Sequence, residues 1–196
     1  MLASNLLKGK IRFGKLLFSF LSVLLLRCFL VFKFGVNDIV VYGTSGVCRI
    51  SGVDSIKLGR ETNEYYVLSP VSNSGSSVFV PVDNELLLSK VRNVLTKKEI
   101  EDVFATLPAD KELWSNNPAE RSRIFTEALK SADMAQIAIV VRTLITHRQK
   151  LSESGKKLHL TDERIMREAL RLLTDEIAYV FGIDTDEAEK YVLNNL

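Results

Sequence analysis

The chain has 196 residues, 26 Lys+Arg against 24 Asp+Glu, and a formal net charge of +2; that length admits one domain or two small ones. With 46% hydrophobic and 26% charged residues it can bury a core, which excludes wholesale disorder. Split along the chain, the charge changes meaning: residues 1–33 hold six basic groups and no acid (+6), residues 34–92 carry −1 and residues 93–196 carry −3. Without the first 33 residues the protein carries −4, so any nucleic-acid role rests on a local patch and not on bulk charge.

In the amino-terminal segment, Lys8, Lys10, Arg12 and Lys15 precede an apolar run over residues 16–26, which Arg27 and Cys28 interrupt before it resumes over 29–32. The run is short for a spanning helix, which needs ~20 residues, and suits a signal-peptide core better. No small-residue cleavage site follows it, and Arg27 stands where a lipoprotein box needs a small residue. Read through Arg27, residues 16–32 make a marginal membrane span. The positive-inside bias would then export everything downstream, and nothing downstream reads as secreted. Two readings stay open: a membrane anchor, or a translation start placed too far upstream, with a natural beginning near Val31.

Residues 34–92 read as short strands separated by turns. Residues 39–42 are β-branched and aromatic, and Gly43-Thr-Ser-Gly46 follows as a turn with glycines free to take positive φ. A second strand spans residues 47–50, and Gly52 is expected to break it. Residues 57–63 form a polar hairpin tip, 65–68 a third strand, and 72–77 a Ser/Gly/Asn turn. Residues 78–82 form a strand whose Pro81 suits an edge or a strand end. Four or five short strands in about 60 residues predict a small, strongly bent antiparallel barrel.

Beyond Val91 the pattern becomes helical, giving an α+β chain in which a compact all-α domain of about five helices, residues 93–196, follows the barrel. Thr96-Lys-Lys-Glu99 is a capping box, and Pro108 closes that helix. Asn117-Pro-Ala-Glu120 supplies an N-cap, a proline at the first helical position and a first-turn carboxylate. Asp133 caps a helix to about Gln149, Thr161-Asp-Glu opens a long helix closed by Gly182, and Asp184 opens the last. Ile137, Val140, Val141 and Leu144, then Ile165, Ala169, Leu172, Leu173 and Ile177, recur at helical spacing as bundle core.

Catalytic signatures are missing. The chain has no GxxxxGK[ST], GxSxG, HExxH or CxxC, and Gly43-x-x-Gly46 lacks the spacing and following helix of a dinucleotide site. Cys28 and Cys48 suggest no disulfide framework, which fits a reducing compartment. His147 and His159 read as partly exposed histidines and not as metal ligands. Neither an enzymatic role nor a metal or cofactor is expected, which leaves binding.

The helical half is electrically polar: residues 121–157 carry +5 and residues 158–196 carry −5. Such a distribution is either a solvated mixed-charge face or a surface focused toward phosphates. Trp114, the only tryptophan, lies between two helices among polar neighbours. It is either a partly buried core aromatic or an exposed apolar wedge of the kind that packs against unstacked bases.

Phe34-Gly-Val-Asn-Asp-Ile-Val-Val-Tyr42, Gly46-Val47, Tyr65-Tyr-Val-Leu68 and Val80-Pro81-Val82 resemble the RNA-polymerase-interacting domain of the CarD/CdnL family of bacterial transcription factors. Trp114 upstream of Arg121, Leu129-Lys-Ser-Ala-Asp133 and Lys156-Lys-Leu-His-Leu-Thr-Asp-Glu-Arg164 resemble the family's carboxy-terminal domain. The match spans about residues 34–193. It implies a Tudor-like barrel docked on the RNA polymerase β subunit and a helical domain on promoter DNA at the upstream edge of the melted region. There Trp114 would wedge into the minor groove and favour the open complex. Arg121 and Arg123, with Lys130, Lys156 and Lys157, would hold phosphates, with little sequence specificity.

Ile56, Lys57 and Phe79 fall near family polymerase-contact positions, as an altered contact patch or as ordinary barrel surface and core. The turn Gly43-Thr-Ser-Gly46 departs from the Pro-x-His-Gly of many relatives. The resemblance implies a cytoplasmic monomer held at the nucleoid through polymerase. The alternative is a membrane-anchored protein-interaction module without DNA contact. A polymerase-binding fragment of a transcription-coupled repair factor is disfavoured by the missing P-loop and helicase motifs.

Overall fold

The computed structural model describes residues 33–58, 61–72 and 75–196. The apolar run of residues 16–32 lies outside them, and with it the question of a membrane anchor. Residues 36–196 form one compact unit, which the account below concerns.

Five antiparallel strands, β1 (Ile39–Tyr42), β2 (Gly46–Leu58), β3 (Glu61–Pro70), β4 (Val78–Pro81) and β5 (Val91–Asn93), form a single sheet in the order β4-β3-β2-β1-β5. This corrects the expected closed barrel. Among the described residues β4 and β5 are free edges of an open sheet, and strands of four and three residues offer little ladder with which to close it. Pro81 sits on edge strand β4, where a missing N–H costs nothing in the ladder.

Gly52 does not end its strand. The pairing of β2 with β3 shifts register between Ile50 and Gly52 and continues to Leu58 opposite Glu61. The glycine marks a bulge that bends one long hairpin. β5, at the boundary drawn from sequence between residues 34–92 and 93–196, returns to pair with β1, Val41 lying opposite Arg92.

One face of the sheet buries Val40, Cys48, Ile50, Tyr66, Leu68 and Val80 almost completely. At the β1–β2 end the other face is covered too. Val41 and Val47, paired in the ladder, pack against Ala132 from the helical part. Burial on both faces explains why residues 39–41 form a continuous apolar run where alternation would be expected. The Cys48 thiol lies in this region. Burial pushes it up to about 11 from an ordinary 9.0, against the opposing pull of the Arg171 charge, so at neutral pH it is a small apolar filler.

The helices are α1 (Glu85–Leu88), α2 (Lys97–Ala105), α3 (Pro118–Lys130), α4 (Met134–Glu153), α5 (Leu160–Phe181) and α6 (Thr185–Asn195). The described residues thus hold six, one more than the sequence pattern indicated. The extra helix, α1, is a single turn capped by Asn84, too short to show a period. Thr96 and Glu99 close the capping box of α2 reciprocally, and Asn117, Asp133 and Asp184 each accept from first-turn amides. His159, not Thr161, caps α5 through its ring nitrogen, and Gly182 ends that helix at φ 66°.

The bundle core is the stripe of Ile137, Val140, Val141 and Leu144 on α4 against Ala169, Leu172, Leu173 and Ile177 on α5. Where the sheet meets the helices, Gly46 takes φ 69° and ψ −142°. A Cβ there would stand 3.4 Å from the Leu172 side chain. That contact is an ordinary one, so the backbone angles and not the space favour glycine here.

Candidate functional site

The connection between α2 and α3, residues 106–117, has no regular structure but is tied down at several points. Arg142 of α4 donates to the carbonyl oxygens of Pro108 and Lys111, and the Leu113 amide donates to Thr143 Oγ1 at 3.3 Å. Near α3, Ser115 Oγ donates to Glu120 at 2.7 Å, and the Asn117 amide donates to Ser115 Oγ. Trp114 is therefore carried on a pinned segment although it lies in a loop.

The indole is half-buried and contacts two planar groups. The imidazole of His147, near the end of α4, stacks on it at 3.6 Å between centroids and 7° between planes. The Arg121 guanidinium carbon lies over the ring 4.2 Å from its centroid, a cation–π contact. Indole Nε1 donates to Asn116 Oδ1 at 3.2 Å. His147 is itself held by a hydrogen bond from Nε2 to the Glu112 carboxylate. The indole also packs against the edge of the helical core. The indole is thus partly anchored in the bundle and partly exposed.

Arg121 is used differently from the phosphate contact expected of it. It is 5% exposed, and Asp162, in the first turn of α5, is 2% exposed. Arg121 Nε donates to both Asp162 oxygens at 3.1 and 3.2 Å, Nη2 donates to Oδ2 at 2.7 Å, and Nη1 donates to the Ser115 carbonyl at 2.7 Å. A long side chain near the start of a helix leans back over the preceding turn, which brings this guanidinium beneath the tryptophan loop. Its charge is paired with Asp162 in a buried site, and its guanidinium lies over the Trp114 ring.

The other basic residues divide by position. Arg123 is two residues from Arg121, so it falls on a different helix face. It is exposed and pairs loosely with Glu127 at 3.0 Å. Lys156 and Lys157 are exposed in the loop leading into α5, a few residues before Asp162. Lys130 is also exposed, but it ends α3, about 14 Å along the helix from Arg121 at 1.5 Å per residue. Its carbonyl faces Gly43 in the sheet turn. Lys156 and Lys157 thus lie in the connection that leads into the Asp162 turn, whereas Lys130 lies at the far end of α3 from Arg121. His147 and Asp162 were not legible as site residues, because His147 reaches the indole and Asp162 reaches Arg121 from other elements at no recognisable spacing; Glu112, two residues before Trp114, acts through His147.

On the sheet, Ile56 lies opposite Asn63, and Phe79 lies opposite Val67. Counting along β3 in steps of two puts Ile56, Tyr65, Val67 and Phe79 on one face. This face is opposite the buried Tyr66 and Leu68. Phe79 is 46% exposed and Ile56 half-buried, so Phe79 is surface and not core. Lys57, opposite Thr62, is exposed on the other face. The three residues named from sequence do not form one patch: Ile56 and Phe79 share a face without Lys57.

No trio of His, Cys, Asp or Glu side chains among the described residues is arranged to hold a metal ion. Comparison with known families matches residues 34–92 to the CarD-like/TRCF RID domain, the polymerase-interacting domain. Residues 102–193 match the CarD, C-terminal domain. Two matches in this order span the sheet and nearly all the helices, and the chain belongs to the CarD-like family of RNA-polymerase-binding transcription regulators.

Proposed function

We propose that this protein stabilises the open promoter complex by docking its sheet on the polymerase β subunit and setting Trp114 against the minor groove at the upstream edge of the melted DNA. The observation that carries this reading is the mounting of Trp114. A large aromatic left half in solvent, yet gripped by a stacked imidazole and a buried arginine, loses little freedom on meeting a partner. With much of its flat surface already in contact, the indole acts by its exposed edge, as a wedge at a weakened base step. Arg123, Lys156 and Lys157 supply the phosphate contacts beside it, and Lys130 contributes at most from a distance. So few cations on a chain that carries −4 beyond residue 33 give weak DNA affinity alone. Tethering to polymerase raises the local DNA concentration enough to compensate.

The protein works as a monomer in the cytoplasm, held at the nucleoid by polymerase. Added to polymerase–promoter complexes, it lengthens their lifetime under competitor challenge tenfold or more. An unchanged lifetime with the protein bound to polymerase would refute the reading.

Docking is assigned to the face bearing Phe79 and Ile56. Phe79→Glu is expected to weaken capture of polymerase in a pull-down more than tenfold while the far-ultraviolet circular dichroism stays that of the parent, since the ring is outside the core. Undiminished capture would move docking off this face. The membrane-anchored alternative has no supporting observation in the described residues, where no helix is long and apolar enough to cross a bilayer.

A further inference from the structure

Helix α5 reaches both the tryptophan site and the sheet. At its start Asp162 holds Arg121 beneath Trp114. Further along, Arg171 Nη2 donates to the Thr44 carbonyl in the turn between β1 and β2 at 2.9 Å. Fourteen residues beyond Asp162, or about 21 Å at 1.5 Å per residue, Glu176 accepts from both terminal nitrogens of Arg92 on β5, each at 2.6 Å.

That last contact is a junction. Glu176 is 3% exposed and also accepts from the Leu95 amide, in the connection between sheet and bundle, at 3.0 Å. Arg92 Nε donates to the Ala132 carbonyl at 2.6 Å. Ala132, in the turn between α3 and α4, takes φ 58°, and its methyl is buried against Val41 and Val47. A non-glycine residue in the left-handed region persists only where its surroundings over-determine it. Here the arginine and the two valines do so. A bidentate fork fixes orientation as well as distance, so this junction resists rotation of the sheet against the bundle.

We propose that α5 is a rigid strut that sets the position of Trp114 relative to the polymerase-docking sheet, with Arg92, Glu176 and Arg171 as positioning residues. This rests on the function proposed above. A wedge delivered by a tethered module acts only if the tether holds it at the correct place; a displacement of an ångström removes much of the benefit of fixed geometry. The strut converts docking at one end into placement at the other, a task that separate binding by the two halves would not accomplish.

The test uses the full chain with Arg92→Lys, which keeps the charge but loses the fork, and Arg171→Gln, which acts at the independent contact with Thr44 and covers the case in which the first variant folds poorly. Polymerase capture and binding of the protein alone to a forked promoter fragment are expected within twofold of the parent. Open-complex lifetime is expected to fall at least threefold, and Trp114→Ala combined with Arg171→Gln to be no shorter than Trp114→Ala alone, because the two act through one step. Parental lifetimes in both variants, or lifetimes that fall only in proportion to capture, would overturn the strut. If Trp114→Ala shortens the lifetime and the strut variants do not, the strut alone fails. If Trp114→Ala has no effect, the wedge reading fails and takes the strut with it.

Discussion

Replacing Trp114 by alanine should shorten the lifetime of the polymerase–promoter open complex about tenfold at constant polymerase occupancy. A wedge at a base step acts against an unstacking cost of about a few kcal/mol, of which ~1.4 kcal/mol is already a tenfold change in rate. The effect belongs to dissociation because the indole meets its partner only after the strands have parted. Phe79 and Ile56 lie on the sheet, remote in sequence and element from the loop that bears Trp114, so capture of polymerase should be unchanged. Trp114→Phe should retain part of the lifetime, since a smaller ring can still stack on His147. Competitor challenge of preformed complexes measures all three proteins. Equal lifetimes for the parent and Trp114→Ala would sink the wedge assignment.

The buried pair beneath the indole should show the largest effect on stability. Asp162→Ala leaves the Arg121 guanidinium, 5% exposed, without its counter-charge. Removing one partner of such a pair costs about 3–5 kcal/mol, whereas replacing both by apolar groups is often close to neutral. Urea unfolding should therefore show a large fall in midpoint for Asp162→Ala and substantial recovery in Arg121→Met/Asp162→Leu. Function should not recover with stability. The double variant lacks the guanidinium over the ring and the hydrogen bond to the Ser115 carbonyl, so its open-complex lifetime should stay short. Because the chain has one tryptophan, the emission of the folded protein reports the loosened indole directly. Parental lifetimes in the double variant would reduce the pair to a structural role.

Several features were legible because their causes are local. Thr96 with Glu99, Asn117 with Pro118, Asp133, Gly182 and Asp184 mark helix ends by chemistry that acts within one turn. The strands around Ile39–Tyr42 and Val78–Pro81 and the edge position of Pro81 follow from β-branching and the missing N–H. What went astray depended on distant partners. Gly52 bends a strand because β3 continues beside it. β5 is three residues that would be loop without β1 to pair with. The two short edges that leave the sheet open become apparent only when the strands are assembled.

The basic residues show the same division. Counting charge located an excess of positive charge over residues 121–157, but a count has no direction. Arg121 and Arg123 are neighbours in that tally, yet one is buried on Asp162, forty-one residues away, and the other is in solvent. The tryptophan could be singled out by its polar neighbours; the imidazole that stacks on it could not, because His147 arrives from the end of another helix.

Composition and local pattern determined the class of this protein: a non-uniformly charged α+β chain, acidic beyond residue 33, with recognisable family motifs in both halves and one conspicuous aromatic. Tertiary structure decided what each charged side chain is for. Ionic and stacking contacts fall off within a few ångströms, while Trp114 and His147, Arg121 and Asp162, and Arg92 and Glu176 lie 33, 41 and 84 positions apart. Whether an arginine meets a phosphate, a tryptophan or a carboxylate is therefore settled by which helices pack together.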